Sequence, residues 1–141
     1  MDFAGVNYLA ILAAAVASFM FGGIWYGVLS KPWMAAAGID EAMMKASKEA
    51  GKTTQLMLRA FFSGLVMAWV LAGLIGHLGQ GQVTLVNGII SGAFAWLGFV
   101  ATTLVTNHGF QMEPGKLTLI DGGHWLGVLL LQGAVIGAIG V

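Results

Sequence analysis

The chain has 141 residues, of which 58% are hydrophobic and only 9% are charged. Water-soluble domains usually carry about 25% charged residues, so this composition excludes a soluble globular domain. The formal net charge of zero gives no support to a nucleic-acid partner. The chain contains no cysteine, which excludes disulfides, thiolate metal sites and a cysteine nucleophile. We therefore predict a protein surrounded by the lipid bilayer, with no nucleic acid bound.

Charged residues divide the chain into long uncharged stretches. No charge lies between Asp2 and Lys31, between Arg59 and Glu113, or after Asp121. A transmembrane helix needs about 20 apolar residues, and the middle stretch is long enough for two helices with a glycine-rich turn between them. The apolar runs do not alternate with polar residues, as the strands of a transmembrane β-barrel would. The sequence thus predicts an all-α bundle of four transmembrane helices, at residues 6–28, 58–78, 85–106 and 118–139.

The first apolar run differs from a cleaved signal peptide. No basic residue precedes it, and its length from Tyr8 to Leu29 exceeds the usual h-region of about 7 to 15 residues. We expect this helix to be retained. The sequence has no internal repeat and no domain linker, so we predict one transmembrane domain over residues 1–141.

The polar stretch from Ser30 to Gln55 predicts a short amphipathic helix between the first two spans. Asp40 is suited to cap its N-terminus, Glu41 and Lys45 are spaced i,i+4, and Gly51 is suited to end it. Two interpretations stay open at this stage. The helix is either a solvated linker or lies on the membrane face with its lysines near anionic headgroups.

The basic residues predict the orientation. They all lie in the loops after the first and third spans, which share one side of a four-span protein; they are Lys31, Lys45, Lys48, Lys52, Arg59 and Lys116. Basic loops tend to stay in the cytoplasm. Both termini are then predicted on the outer or periplasmic side, and the amphipathic helix in the cytoplasm.

Small residues recur at four-residue spacing and predict close helix packing. The second span carries the longest stripe, which comprises Ala60, Gly64, Ala68, Ala72 and Gly76. The first span has a similar stripe, and further pairs are Gly23 with Gly27, Gly88 with Gly92, Gly123 with Gly127, and Gly133 with Gly137. The stripes either pack the four helices of one chain or join two chains. We predict a homo-oligomer, because one bundle needs fewer small faces.

Five polar residues are predicted near the cytoplasmic face, at similar depth: Arg59, Asn107, His108, Asp121 and His124. Asp121 and His124 are three residues apart and therefore lie on one helix face. Three interpretations stay open. The charges lie at the interface, where Asp121 caps a helix and Arg59 reaches the headgroups; Arg59 and Asp121 form an ion pair; or the cluster binds a ligand, proton or metal.

Motifs of soluble enzymes are missing from the sequence. Gly-x-Ser-x-Gly does not occur, and the glycines near residue 80 do not complete a dinucleotide-binding loop. We therefore predict no cofactor and no catalytic residues.

Several blocks of sequence resemble a known family. They are Asn7 to Leu12, Gly22 to Gly27, Lys31 to Met34, Trp96 to Phe99 and Leu119 to Asp121. In these blocks the chain resembles the domain-of-unknown-function 1761 family of small bacterial membrane proteins. The resemblance implies a four-helix membrane fold in a bacterial inner membrane. It implies no activity and no catalytic residues.

The functional prediction is a non-enzymatic oligomer in the membrane, serving as a channel or transporter for a small solute. The alternative is a membrane-embedded enzyme, or a metal- or cofactor-binding protein, that uses Asp121, His124 and His108.

Overall fold

A computed structural model of the chain describes residues 6–79 and 81–141, and all regular secondary structure within these residues is helical. This confirms the predicted all-α class. In chain order the helices are α1 (Tyr8–Val28), α2 (Ser30–Ala37), α3 (Glu41–Glu49), α4 (Lys52–Gly76), α5 (Leu85–Ala95), α6 (Thr102–Phe110) and α7 (Gly115–Ile139), and a π-helical segment (Trp96–Ala101) joins α5 to α6.

Four helices are long and apolar enough to cross a membrane, which confirms the predicted four-span fold. They are α1, α4, the continuous helix Leu85–Phe110 and α7, which we call spans one to four. Helix α4 begins six residues before the predicted start of the second span, because its start follows Gly51, whose φ of 69° is left-handed. Helix α7 likewise begins directly after Pro114. How much of each helix lies in the hydrocarbon stays a prediction.

The polar stretch after span one forms two short helices. Helix α2 was not predicted; it follows α1 almost directly, and Pro32 fits within its first turn, where a missing N–H is tolerated. Helix α3 is the predicted amphipathic helix, and the Asp40 side chain accepts a hydrogen bond of 2.7 Å from Met43 N as its N-cap. The ion pair on this helix joins Lys45 to Glu49 at 3.9 Å, one turn after the predicted pair.

Span four is the central helix of the bundle. In its most apolar stretch 44% of the residues are buried, against 28%, 22% and 11% for spans one to three. It packs against each of the other three spans. A contiguous apolar core joins spans one, two and four, and consists of Ile11, Ala14, Ala15, Ala68, Leu71, Ala72, Ile75, Leu129 and Ile136.

Glycines bring spans three and four into backbone contact. A Cβ atom added at Gly88 would overlap the carbonyl of Gly133, and one added at Gly92 would overlap the carbonyl of Leu129. A Cβ atom at Gly137 would overlap the carbonyl of Thr84. Small residues allow this approach in lipid, where apolar side chains gain little by meeting each other. These pairs therefore pack helices of a single chain.

The small stripe of span two also packs inside the chain. Ala68 and Ala72 are 0% and 2% exposed. An added Cβ atom would come within 3.9 Å of Gln132 at Gly64, and within 3.5 Å of Val141 at Gly76. Of the two roles that the sequence left open for this stripe, its central residues therefore serve packing within the chain.

Gly23 and Gly27 meet no other helix among the described residues. An added Cβ atom would meet nothing within 4 Å at either position. The predicted role of this pair in helix packing therefore stays a prediction. Four-residue spacing places two residues on one helix face, but it does not specify what that face meets.

The contact between spans three and four predicts a position-specific cost of substitution. Gly88→Ala should destabilise the protein by about 1 to 3 kcal/mol, because the new methyl group has to push two backbones apart. Gly73→Ala is the matched control, since its Cβ atom meets nothing within 4 Å; it should be neutral or stabilising by up to about 1 kcal/mol. Reversible unfolding in detergent micelles measures both. Equal effects would contradict the backbone contact.

Candidate functional site

Asp121 on span four is held by two aromatic donors. The Tyr26 hydroxyl donates to Asp121 Oδ1 at 2.8 Å, and the Trp33 indole N–H donates to the same oxygen at 3.1 Å. The two aromatic rings meet edge to face, with centroids 5.5 Å apart. Tyr and Trp combine an apolar body with a polar tip, which suits a site at the edge of the membrane. The carboxylate is thus bound by neutral donors from α1 and α2.

The backbone beside Asp121 accepts two further indole hydrogen bonds. Trp25 Nε1 donates to the carbonyl of Ile120 at 3.1 Å, and Trp96 Nε1 donates to the carbonyl of Gly122 at 2.8 Å. Trp25 belongs to α1, whereas Trp96 is the first residue of the π-helical segment in span three. We call residues 120–122 the acceptor segment. Side chains from spans one and three and from α2 therefore all end on this one turn of span four.

The acceptor segment is not paired with a cation. Arg59 is exposed, and the ion pair in the described part of the chain joins Lys45 to Glu49. The structure therefore does not form the Arg59–Asp121 pair that the sequence left open. Similar predicted depth in the membrane is therefore not sufficient for the two side chains to pair.

The predicted inner-face cluster is only partly assembled. Asn107 is exposed, and His108 Nδ1 lies 3.0 Å from Thr118 Oγ1. Among the described residues no hydrogen bond, ion pair or ring contact joins Asn107 or His108 to Asp121 or His124. The same part of the chain contains no group of three or more His, Cys, Asp or Glu side chains placed to hold a metal ion. These residues therefore provide no ligand set for the predicted alternative of a metal-binding protein.

Asp121 and His124 are connected through an aromatic side chain. Tyr26 donates to Asp121, and its ring centroid lies 4.7 Å from that of His124. His124 also contacts the ring of Trp125 at 4.7 Å and lies parallel to the ring of Phe21 at 6.2 Å. The imidazole is only 9% exposed, and its Nδ1 atom is buried without a hydrogen-bond partner. Leaving a buried polar atom unpaired costs about 1 to 3 kcal/mol, so this atom requires an explanation.

His124 lies in the wall of a pocket of ≈ 400 Å³ between spans one, two and four. The lining residues are Ala15, Ser18, Phe19, Gly22, Gly23, Tyr26, Met57, Ala60, Gly64, His124, Trp125 and Val128. Gly22 makes room for the imidazole, because a Cβ atom there would lie 2.8 Å from His124 Nε2. The glycine in span one therefore sets how close the histidine of span four comes to that helix.

A buried amide bonds to two residues that line the pocket. Gln132 is 0% exposed, and its Nε2 donates to Ser18 Oγ and to the carbonyl of Gly64, both at 2.9 Å. Ser18 in turn donates to the carbonyl of Ala15 at 3.1 Å. This network joins spans one, two and four, and it satisfies the hydroxyl of Ser18 from both sides. Gln132 Oε1 stays without a partner among the described residues.

Sequence reasoning missed most of the donors to the acceptor segment. Hydropathy places Trp25, Tyr26 and Trp33 at or just after the end of span one, where Trp and Tyr are common because they suit the membrane surface. The available signal was their position beside Gly27 and Pro32, in two blocks that resemble a known family. This signal singled out the residues as candidates for a role in the family, but it did not indicate that they bind span four.

The fold and this site define a class of protein: a small four-helix membrane protein with a pocket between its spans. Residues 9–137 match the model of a family described as a protein of unknown function, DUF1761. The match covers most of the chain, which therefore belongs to the DUF1761 family, and the resemblance found in the sequence is confirmed. No curated protein and no solved structure matches the chain. The description of the family names no activity and no ligand.

The hydrogen bonds at Asp121 predict which residues are energetically coupled. Asp121→Leu leaves two donors without an acceptor and should cost about 1 to 3 kcal/mol for each. Tyr26→Phe should therefore be strongly non-additive with Asp121→Leu in a double-mutant cycle of unfolding free energies. Arg59→Leu is the control; because Arg59 is exposed, it should cost less than about 1 kcal/mol and add to Asp121→Leu. Coupling of Arg59 to Asp121 as strong as that of Tyr26 would contradict this arrangement.

Proposed function

We propose that this protein is a non-enzymatic membrane protein that binds one small lipid-soluble molecule in the pocket between spans one, two and four. The observation that carries the proposal is the pocket of ≈ 400 Å³, whose lining includes His124, a residue with a buried nitrogen that has no hydrogen-bond partner among the described residues. Ligand pockets typically measure about 300 to 1,000 Å³ and are apolar with a few polar groups. The volume and composition of this pocket both agree with that pattern.

The position of the pocket supports entry of the ligand from the bilayer. Phe19 in span one and Met57 in span two line the pocket and are 37% and 51% exposed. Exposed surface on the side of a transmembrane helix faces lipid. A molecule dissolved in the bilayer can therefore reach the pocket sideways, between spans one and two, without crossing an aqueous phase.

The distribution of buried polar residues favours binding of a single molecule over an ion channel. Within the described residues the buried polar side chains are Ser18, His124 and Gln132. Two of them line the pocket and the third bonds to its wall. An ion path needs polar groups or water along the whole bundle, whereas the core towards the other end of span four is apolar. Of the two predicted activities, a carrier or transporter thus fits better than a channel.

Filling the pocket tests the proposal. Gly23 lines the pocket, and a Cβ atom there meets nothing within 4 Å, so the ring in Gly23→Phe has free space to occupy. We expect it to weaken binding of naphthalene, a small apolar probe, by about tenfold or more, equivalent to ~1.4 kcal/mol. Gly27→Phe is the control, because Gly27 is equally open but lies outside the lining. Labelled naphthalene is measured in lipid nanodiscs with and without protein. Absence of protein-dependent binding would contradict the proposal.

We further propose that the protein lies in a bacterial inner membrane with both termini outside. The support is the confinement of all six basic residues to one side of the four-span fold. Reporter enzymes fused after Val141 test the orientation. We expect activity from a reporter that works only in the periplasm and none from one that works only in the cytoplasm. The reverse pattern would place helices α2 and α3 outside the cell.

The predicted homo-oligomer also stays a proposal, and span three is its best candidate interface. Phe94 and Phe99 on this span are each 73% exposed, and no other span is less buried. Because the chain has no cysteine, introduced cysteines report on contacts directly. In membranes, Phe99→Cys should form a disulfide-linked dimer on oxidation, whereas Ala68→Cys at a fully buried position should not. A monomer in both cases would remove span three as an interface.

A further inference from the structure

Two of the polar side chains in the pocket wall have their hydrogen bonds filled. Ser18 donates to the Ala15 carbonyl and accepts from Gln132. The Tyr26 hydroxyl donates to Asp121 at 2.8 Å. Neither side chain needs a ligand to satisfy its donor. Recognition of a polar group in the pocket therefore depends on other residues.

The other two polar side chains in the wall are uncommitted. His124 Nδ1 has no partner, although the residue is only 9% exposed. The indole N–H of Trp125 likewise has no acceptor among the described residues. The two rings are neighbours, with centroids 4.7 Å apart. His124 and Trp125 thus carry the hydrogen-bonding capacity that the described residues leave unfilled in the pocket lining.

The chemistry of these groups restricts the ligand. Among the described residues the lining contains no Asp, Glu, Lys or Arg, so they offer no counter-charge to an ionic head group in this apolar pocket. A neutral imidazole has one donor and one acceptor nitrogen, whereas an indole N–H only donates. A carbonyl or an ether can only accept. A hydroxyl group both donates and accepts, and it therefore satisfies His124 in either tautomer.

The composition of the lining restricts the body of the ligand. On spans one and two most of the lining is small, through Ala15, Gly22, Gly23, Ala60 and Gly64. The aromatic rings of Phe19, Tyr26 and Trp125 also line the pocket, together with His124. Aromatic rings gain about 0.5 to 1.5 kcal/mol from well-placed ring partners. The lining therefore favours a ligand that carries an aromatic ring.

We infer that the ligand is a neutral, lipid-soluble molecule with a hydroxyl group on a planar ring, of the phenol or hydroquinone class, whose hydroxyl binds His124. This inference rests on the proposed function and specifies the chemistry of its ligand. The ring lies among the aromatic side chains of the pocket, and any apolar tail extends past Phe19 and Met57 into the bilayer. His124 distinguishes this class from hydrocarbons of the same shape.

Three probes of similar shape test the inference on the unsubstituted protein in lipid nanodiscs: naphthol, methoxynaphthalene and naphthalene. Binding is taken as the difference between nanodiscs with and without the protein, which removes partitioning into lipid. We expect naphthol to bind about fivefold to tenfold more tightly than methoxynaphthalene, the effect of one net hydrogen bond. Methoxynaphthalene can accept but not donate, so a preference for naphthol reports donation by the ligand.

The role of His124 is tested by substitution and by NMR. His124→Phe should abolish the preference for naphthol, whereas His77→Phe, a matched control outside the pocket, should retain it. In the unsubstituted protein, the His124 imidazole resonances should move with naphthol and much less with naphthalene. Equal binding of all three probes would overturn the hydroxyl inference and leave the proposed pocket intact. Binding of none of them would overturn the proposed function itself.

Discussion

The arrangement of this protein depends on how the polar groups of residues 120–122 are satisfied inside a membrane protein. Lipid offers no hydrogen bonds, so buried polar groups have to find partners within the protein. Here the partners are aromatic: Trp25 and Tyr26 from span one, Trp33 from α2, and Trp96 from span three. These bonds fix the register between span four and its neighbours. They also provide neutral hydrogen-bond donors to Asp121, the only carboxylate in the sequence of span four.

The register fixed at that turn positions the pocket. His124 lies one turn beyond Asp121, which brings its ring against Tyr26 and over Gly22. Two turns further along, Gln132 reaches across to Ser18 and to the backbone of span two. Span three, in contrast, meets span four through closely packed glycine backbones. Span four thus packs closely against span three through small residues, whereas it encloses a cavity with spans one and two.

Local properties of the sequence predicted the spans, the Asp40 cap and the family, because hydropathy, capping and sequence blocks depend on neighbouring residues. Contacts between distant residues were harder to predict. Arg59 and Asp121 have similar predicted depth, but depth does not specify the direction in which a side chain points. The spacing of Ala68 and Ala72 left open whether their stripe packs within the chain or against another chain, and the chain's own helices cover both residues. Neither α2 nor the π-helical segment has a strong local signal.

The hydrogen bond from Trp33 to Asp121 is the most direct point at which to test this account. Its indole N–H resonance in lipid nanodiscs, assigned by single Trp→Phe substitutions, should lie in the range of a hydrogen-bonded group. Replacing Asp121 by Leu should shift the Trp33 resonance strongly. The Trp96 resonance should change much less, because that indole donates to the backbone of Gly122. An unchanged Trp33 resonance would show that Asp121 is not its acceptor, and it would contradict the register on which the pocket depends.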